Sequence, residues 1–245
     1  MLGIGTGIDQ STVVEPADLK ELTGNTATSL QLWLKNNTDV TTSQWKDSSG
    51  NNNHATQSSE VNQATVSDGG LDFEEGESDH YDLANTITIA QNQGFCMAAV
   101  VEQESASDNM ILSKDTNDHI KIADQSTFRI ISNDDTQTTT TMRFTDGAVL
   151  AAGPKMLILV NRSAGAENRF TFFKNGAQLT FDTDTSSNEA QGENPFGFDI
   201  NVLGSRAGTD QFFDGKILEL AFWNRALTAT EIADVNSYLQ EIHGL

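Results

Sequence analysis

The sequence is poor in cysteine, proline, tyrosine and basic residues. Its single cysteine, Cys96, excludes an intrachain disulfide, and its place in an apolar run indicates a buried side chain and not a nucleophile. The three prolines, Pro16, Pro154 and Pro195, fall outside the stretches with strand character, which is consistent with uninterrupted ladders. No apolar run approaches the ~18 residues of a membrane-spanning helix, so we expect no membrane insertion.

The charge balance is strongly acidic. Lys and Arg number 14 against 35 Asp and Glu, a formal net charge of −21. Such a chain repels nucleic-acid phosphates and anionic lipids, so we expect no nucleic-acid partner. The first residues contain neither a basic region nor a long apolar run, so we predict no secretory signal peptide and synthesis in a cytoplasm.

Strand patterns dominate the sequence. Leu30, Leu32 and Leu34 alternate with polar or amphipathic neighbours, which is typical of a strand with one buried face. Turn-forming residues separate many such stretches, and Asn175-Gly176 favours a two-residue hairpin because both positions tolerate positive φ. These signals predict an all-β fold, a two-sheet antiparallel sandwich. The further strands are predicted at Leu71–Phe73, Tyr81–Leu83, Gly94–Glu102, Met110–Ser113, His119–Ala123, Phe128–Ser132, Thr138–Phe144, Lys155–Val160, Arg169–Lys174, Ala177–Phe181, Phe198–Leu203 and Lys216–Trp223.

Two helices are also predicted. A short N-terminal helix has Pro16 near its start and Gly24 after its end. A C-terminal helix begins at a capping box formed by Thr228 and Glu231. Its apolar stripe, which we expect to pack against the sandwich, consists of Ile232, Val235, Leu239 and Ile242, with Gly244 at the helix end.

Two segments resemble a known family. One is LWLK at 32–35 with QWKDSSGNNNHAT at 44–56, and the other is FDGKILELAFWNRALTATEI at 213–232. Both are similar to the concanavalin A-like, laminin-G-like jelly-roll modules. The resemblance covers about residues 29–245 and implies two curved antiparallel sheets, with residues 1–28 as an N-terminal arm. Because this architecture serves lectins, adhesion modules, glycanases and structural proteins, function must be argued from a site.

The loop after the first strand allows two interpretations. Asp, Ser, Gly and Asn stabilise turns through their own backbone, which is the simpler reading. Alternatively, Asp47, Asn51 and Asn53 supply oxygens to calcium. The resemblance places the acid of the last strand, Glu219, near this loop, so these four residues form the candidate calcium site. His54 is expected to pack in the loop, because imidazole suits calcium poorly.

A catalytic interpretation is weaker. Glu77, Asp79 and Asp82 resemble the acidic motif of sandwich glycanases, in which two glutamates on one strand act about 5 Å apart. Here the third acid is Asp82, which strand alternation directs away from the other two. Two of the three tryptophans lie in strands, so we expect core packing and no sugar-stacking platform. We therefore expect no enzyme.

The functional expectation is a virion structural or adhesion protein. The opening MLGIGTGIDQ resembles the N-termini of structural proteins of tailed marine phages, which implies capsid decoration or a tail or fibre component. The arm, at its widest Met1–Leu30, would dock to other virion proteins or to further copies, and the sandwich would contact host-surface glycans. A stand-alone calcium-dependent carbohydrate-binding module is the alternative, and a glycan hydrolase is the third possibility.

Overall fold

The computed structural model describes residues 18–24, 29–105, 107–132, 138–164, 170–182 and 197–245. Within these residues the fold is all-β with two helices, as predicted. The helices are α1 (Leu19–Leu22) and α2 (Ala229–His243). The strands are β1 (Leu30–Leu34), β2 (Gln44–Trp45), β3 (Ala55–Thr56), β4 (Thr65–Ser67), β5 (Gly70–Phe73), β6 (Tyr81–Ile89), β7 (Phe95–Gln103), β8 (Ser107–Ser113), β9 (His119–Asp124), β10 (Thr127–Ser132), β11 (Thr138–Arg143), β12 (Met156–Arg162), β13 (Phe170–Lys174), β14 (Ala177–Gln178), β15 (Phe198–Leu203) and β16 (Gly215–Trp223).

The strands form two antiparallel sheets. Sheet A has the order β14-β13-β12-β7-β16-β5-β4, and β1 also pairs with β16. Sheet B has the order β11-β10-β9-β8-β15-β6-β3-β2. Sequence neighbours often lie in different sheets, as in a jelly roll, so the chain passes repeatedly across the core that the two sheets enclose. The predicted jelly-roll sandwich is confirmed.

The inner faces of both sheets meet in one apolar core. Phe95 of sheet A stacks on Phe222 and meets Phe198 of sheet B edge to face, at centroid distances of 5.7 and 5.1 Å. Such aromatic pairs add about 0.5–1.5 kcal/mol each beyond the area they bury. All three tryptophans are buried, as expected from sequence, and so is Cys96, whose burial raises the pKa of the thiol well above its usual value.

The outer faces of the two sheets differ. Helices α1 and α2 cover sheet A through a second apolar cluster that includes Leu19, Trp33 and Val235. Strands β7 and β12 are therefore buried on both faces, which explains their continuous apolar sequences. In contrast, β6 alternates buried and exposed side chains. Sheet B therefore presents a polar outer face.

Both helices are capped. Asp18 accepts hydrogen bonds from the backbone N–H groups of Lys20 and Glu21, so α1 begins at Leu19. Pro16 lies outside the described residues. At α2 the predicted capping box is present, and the expected C-cap, Gly244, has φ +65°. Among the described residues, no helix is long and apolar enough to cross a membrane.

One predicted position of the α2 stripe is wrong. Ile242 is 50% exposed, whereas His243 is buried in its place. The sequence pattern favoured the aliphatic residue, but position 243 lies one turn after Leu239 and faces the sheet. A buried acid below the helix gives the histidine a partner there, as described in the next section.

Some strand boundaries also differ from the prediction. The two-residue strands β2 and β3 are too short to produce a pattern of their own, and the expected strand Ala177–Phe181 shortens to Ala177–Gln178. The turn before β14 is confirmed, with φ +47° at Asn175 and +76° at Gly176. Both values match the turn that suits a tight hairpin.

Candidate functional site

Asp47 organises the loop that follows β1. Its Oδ1 accepts hydrogen bonds from the backbone N–H groups of Trp33 (2.9 Å) and Ser49 (2.8 Å). Its Oδ2 accepts from the Ser49 hydroxyl (2.7 Å) and the backbone N–H of Asn53 (2.9 Å). The carboxylate is only 8% exposed. The turn interpretation of this loop is therefore confirmed, and His54 joins it by accepting the backbone N–H of Asp47 (3.0 Å).

The two asparagines bind the backbone of β1 and not a common centre. The Nδ2 of Asn51 donates to the carbonyl of Leu30 (2.6 Å), and the Nδ2 of Asn53 donates to the carbonyl of Gln31 (2.7 Å). The side-chain oxygen of Asn53 accepts from the amide of Asn85 (3.0 Å). These side-chain amides thus add to the backbone hydrogen bond that Ser48 donates to the carbonyl of Trp33 (2.7 Å).

Glu219 has partners of its own. It is 2% exposed and lies between β1 and α2. Its Oε1 accepts from the indole N–H of Trp33 (2.8 Å), and its Oε2 lies 2.8 Å from Nε2 of His243. A buried carboxylate needs such partners. Trp33 therefore links the two acids, since Asp47 binds its backbone N–H and Glu219 its indole.

Calcium at Asp47, Asn51, Asn53 and Glu219 stays a prediction. At Asp47, Asn53 and Glu219 an ion has to replace hydrogen bonds that the side-chain oxygens already accept or share. Another acidic group is more compact. Glu74, Glu104 and Asp214 follow or precede neighbouring strands of sheet A, and the oxygens of the three carboxylates lie within 4.8 Å of one another.

This acidic group has the hard oxygen ligands that calcium prefers. Burial, followed by the neighbouring charges of Glu104, Asp72 and Asp214, raises the pKa of Glu74. The described residues therefore include a cluster of three acids at a place that the sequence analysis did not single out.

The acids of the glycanase-like segment do not share a strand. Glu77 ends an exposed turn of 3₁₀-helix, and Ser78 follows with φ +64°. Asp79 is buried, and its Oδ2 accepts the backbone N–H of Glu74 (2.9 Å). Strand β6 begins only at Tyr81, so Asp82 alone stands on the outer face of sheet B. The paired carboxylates of a retaining glycosidase are not assembled here.

One end of the outer face of sheet B carries a row of polar side chains. Gln44 on β2 lies opposite Thr56 on β3, and Thr56 lies opposite Asp82 on β6. Their side chains line a groove of about 400 Å³. The side chains of Gln44 and Asp82 make no hydrogen bond with the described residues, so an amide and a carboxylate remain available. The groove is lined entirely by hydroxyl, amide or carboxylate residues: Ser43, Gln44, Thr56, Gln57, Ser58 and Asp82.

The other end of the same face is basic. Lys121 on β9 lies directly opposite Arg129 on β10. His119, two residues before Lys121, is buried, and neither ring nitrogen makes a hydrogen bond of good geometry. Burial, followed by the charges of Lys121, Arg206 and Arg129, lowers the pKa of His119 to about 4, although the nearby Asp115 carbonyl opposes this shift. His119 is therefore neutral at pH 7.

Sequence reasoning missed most of this face. Gln44 and Thr56 lie in two-residue strands that leave no periodic signal. Arg129 does belong to a periodic pattern, because it stands between the core residues Phe128 and Ile130. Since Phe128 and Ile130 face the core, strand alternation directs Arg129 to the outer face of sheet B.

A larger groove, of about 540 Å³, lies on the opposite side of the molecule. It separates α2 from the β13–β14 hairpin and is lined by Phe173, Ile232 and Asn236, among others. It therefore belongs to the covered side of sheet A, away from the polar row.

Fold and surface together define a lectin-like jelly-roll module with one covered and one open sheet. The chain belongs to the concanavalin A-like lectin/glucanases superfamily, whose family profile matches residues 75–233. No curated protein sequence matches the chain.

Solved structures are similar in fold at low sequence identity. The binding domain of Paraclostridial Mosquitocidal Protein 1 has a TM-score of 0.57 and 16% identity, over 90% of this chain and 53% of that one. Domain 4 of AbnA, an extracellular arabinanase from Geobacillus stearothermophilus, has a TM-score of 0.54 and 16% identity, over 85% and 98%. The ligand binding domain of botulinum neurotoxin serotype D has a TM-score of 0.56 and 14% identity, over 89% and 52%. The chain thus spans about half of the first and third of these and nearly all of the second.

Proposed function

We propose that this protein is a non-catalytic carbohydrate-binding module whose glycan site is the outer face of sheet B. The observation that carries the proposal is the row of Gln44, Thr56 and Asp82 across three adjacent strands. A sugar presents neighbouring hydroxyl groups that both donate and accept hydrogen bonds. The Asp82 carboxylate accepts from two of them, and the Gln44 amide both donates and accepts.

The rigidity of the row supports this role. Its central member, Thr56, is held by strand pairing on both sides, and its hydroxyl donates to the carbonyl of Asp82 (3.4 Å). The neighbouring Gln57 is fixed through its amide, which donates to the carbonyl of His80 (2.8 Å) and accepts from Ser59 (2.9 Å). A preformed groove of this kind orders few side chains on binding, which favours affinity.

Two of the similar structures carry sugars, which supports a glycan as the ligand. Domain 4 of AbnA is in complex with arabinotriose, and the neurotoxin domain with N-acetylneuraminic acid. The absence of a paired-carboxylate arrangement at Glu77, Asp79 and Asp82 supports binding without hydrolysis.

A panel of immobilised oligosaccharides tests the proposal. The protein is expected to retain a subset of glycans without releasing reducing ends, and Asp82→Ala is expected to weaken that retention at least tenfold. Glu241→Ala is the matched control, because it removes one exposed carboxylate from α2 on the covered side. A protein that binds no glycan, or an Asp82→Ala variant that binds as tightly as the control, contradicts the proposal.

We further propose that the module is displayed on a virion, where it acts in structure or adhesion. The acidic charge and the resemblance of MLGIGTGIDQ to phage structural proteins support this placement. Helix α1 already packs on the sandwich, since the Thr23 hydroxyl accepts the indole N–H of Trp223 (3.1 Å) and its carbonyl accepts from Arg225 (2.8 Å). The docking segment of the proposal is therefore residues 1–17, which lie outside the described residues.

Purified particles provide the test of that placement. The protein is expected in gradient-purified virions by mass spectrometry, and a chain without residues 1–17 is expected to fold but to be missing from the particles. Particles that lack the protein, or that incorporate the shortened chain equally well, refute the virion placement and leave glycan binding untouched.

A further inference from the structure

The basic end of the outer face of sheet B is unusual in this acidic chain. Only 14 basic residues stand against 35 acids, yet Lys121 and Arg129 occupy directly opposite positions on β9 and β10. Arg206 is close enough to act on the same histidine, His119. Like charges that lie opposite each other destabilise a sheet. Anions close to these cations would reduce the repulsion between them.

The protein supplies anions for two of these three cations. Lys121 forms an ion pair with Asp108, and Arg206 forms a two-pronged ion pair with Asp210. Arg129 makes no hydrogen bond or ion pair with any described residue. Of these three cations, Arg129 is therefore the one whose positive charge is not balanced by a carboxylate partner among the described residues.

Strand β10 also fixes the direction of the Arg129 side chain. Its neighbours Phe128 and Ile130 are core residues, so its side chain extends over the outer face. Its Nε is buried without a partner, while the residue as a whole is partly exposed. The terminal nitrogens of the guanidinium are not among the buried atoms, so they are the donors that a ligand oxygen can reach.

The surroundings of Arg129 suit a sugar. His119 is neutral, so it adds no further cation. Ile131 is partly exposed two residues along β10 and offers an apolar contact.

We propose that Arg129 binds the carboxylate of an acidic sugar residue in a glycan that lies across the outer face of sheet B. The planar guanidinium presents two parallel N–H donors, which match the two oxygens of a carboxylate. The inference rests on the proposed function and names the ligand class of the same face.

The geometry also bears on ligand size and charge density. Strand β10 lies four positions from β6 in sheet B, or about 19 Å at the usual strand spacing of ~4.8 Å. A ligand that contacts both Arg129 and Asp82 is therefore an oligosaccharide. Since the net charge of −21 repels polyanions, the expected ligand carries isolated acidic residues and not a dense run of sulfates.

Calorimetric titration with matched sugar pairs tests the proposal on the full chain. The probes are sialyllactose and a neutral oligosaccharide with a single uronic acid residue, each with its methyl ester, in which the carboxylate is neutral. At least one acid is expected to bind more tightly than its ester. Arg129→Gln is expected to weaken the binding of that acid by about 10- to 100-fold, the range for a charge-assisted pair, and to leave the ester unchanged. Arg129→Lys keeps the charge without the two-pronged geometry, so intermediate affinity is expected.

Lys155→Gln is the control, because it removes one positive charge just before β12 of sheet A. Since Arg129 has no partner among the described residues and lies opposite Lys121, Arg129→Gln is expected to melt at or above the wild-type temperature. Equal binding of acid and ester, or an unaffected Arg129→Gln, overturns the Arg129 subsite while glycan binding stands. Equal losses in Arg129→Gln and Lys155→Gln, or preferred binding of dextran sulfate, also overturn it. Failure to bind any sugar, neutral or acidic, contradicts the proposed function as well.

Discussion

The loop after β1 offers a prediction that separates hydrogen bonding from metal binding. Asp47 accepts three buried backbone N–H groups and one hydroxyl. In Asp47→Ala all three N–H groups lose their acceptor, and a stranded buried donor is unfavourable by about 1–3 kcal/mol. Because water re-enters part of the space, we expect the free energy of unfolding to fall by about 3–5 kcal/mol.

The isosteric change Asp47→Asn sharpens this estimate. An asparagine oxygen in the place of Oδ1 still accepts from Trp33 and Ser49, and the rotatable Ser49 hydroxyl adapts to the new amide. Only the N–H of Asn53 then faces another donor. The expected loss is about 1–3 kcal/mol, smaller than for Asp47→Ala.

Urea unfolding followed by tryptophan fluorescence measures both variants, since all three tryptophans are buried in the folded chain. Asp39→Asn is the control, because Asp39 is exposed and pairs with Lys46 at 3.6 Å, a contact worth under about 1 kcal/mol. Each curve is recorded with calcium and with EDTA. An Asp47→Asn variant as stable as wild type refutes the hydrogen-bond account. EDTA that destabilises wild type but leaves Asp47→Asn unchanged shows that an ion holds the loop.

Two further predictions concern α2 and its support. The hydrogen bond from Arg225, followed by those from Thr228, lowers the pKa of Glu231 to about 2 against the opposing effect of burial. Its contribution is therefore complete above pH ~4.5 and is lost as the pH falls towards 2. Glu231→Gln should lower the free energy of unfolding at pH 7 by on the order of 2 kcal/mol, after a discount for solvent exposure. It should also make the free energy of unfolding fall less steeply between pH 4.5 and pH 2. An unchanged fall over this pH range contradicts the prediction. Trp33→Phe removes the donor to the buried Glu219 carboxylate and should destabilise more than Trp45→Phe, because Trp45 donates to a neutral carbonyl. Equal losses in chemical denaturation would show that the indole–carboxylate bond adds no more than the bond from Trp45 to a neutral carbonyl.

The sequence was sufficient for the parts of the fold that repeat a local rule. The alternation in β1, the Asn175-Gly176 hairpin and the capping box of α2 each depend on residues that are close in the chain, so they appear as predicted. The loop at Asp47 was also correctly identified as a turn, because an aspartate bonds the backbone N–H two residues later.

The sequence was insufficient where distant segments meet. Glu219 was expected to face the Asp47 loop, whereas its partners are Trp33, 186 residues away, and His243. The helical stripe predicted Ile242 at the sheet because hydrophobicity alone cannot show that an acid lies beneath the helix. Only the register of β16 against β1 brings these groups together.

The glycan face depends on assembly in the same way. In the sequence, Asp82 could be considered only together with Glu77 and Asp79, which are close to it in the chain. Its neighbours in space, Gln44 and Thr56, come from strands too short for any pattern. The sequence gives no sign that Arg129 differs from other strand residues. The difference appears only in the structure, where the nearby cations Lys121 and Arg206 have carboxylate partners and Arg129 has none among the described residues.

Chemical-shift mapping of the labelled protein with an acidic oligosaccharide shows whether the glycan site lies on the outer face of sheet B. We expect saturable shifts on the outward residues of this sheet, at Gln44, Thr56 and Asp82 on one end and at Arg129 on the other. Shifts confined to the groove between α2 and the β13–β14 hairpin, or no shifts at millimolar sugar, would contradict this expectation.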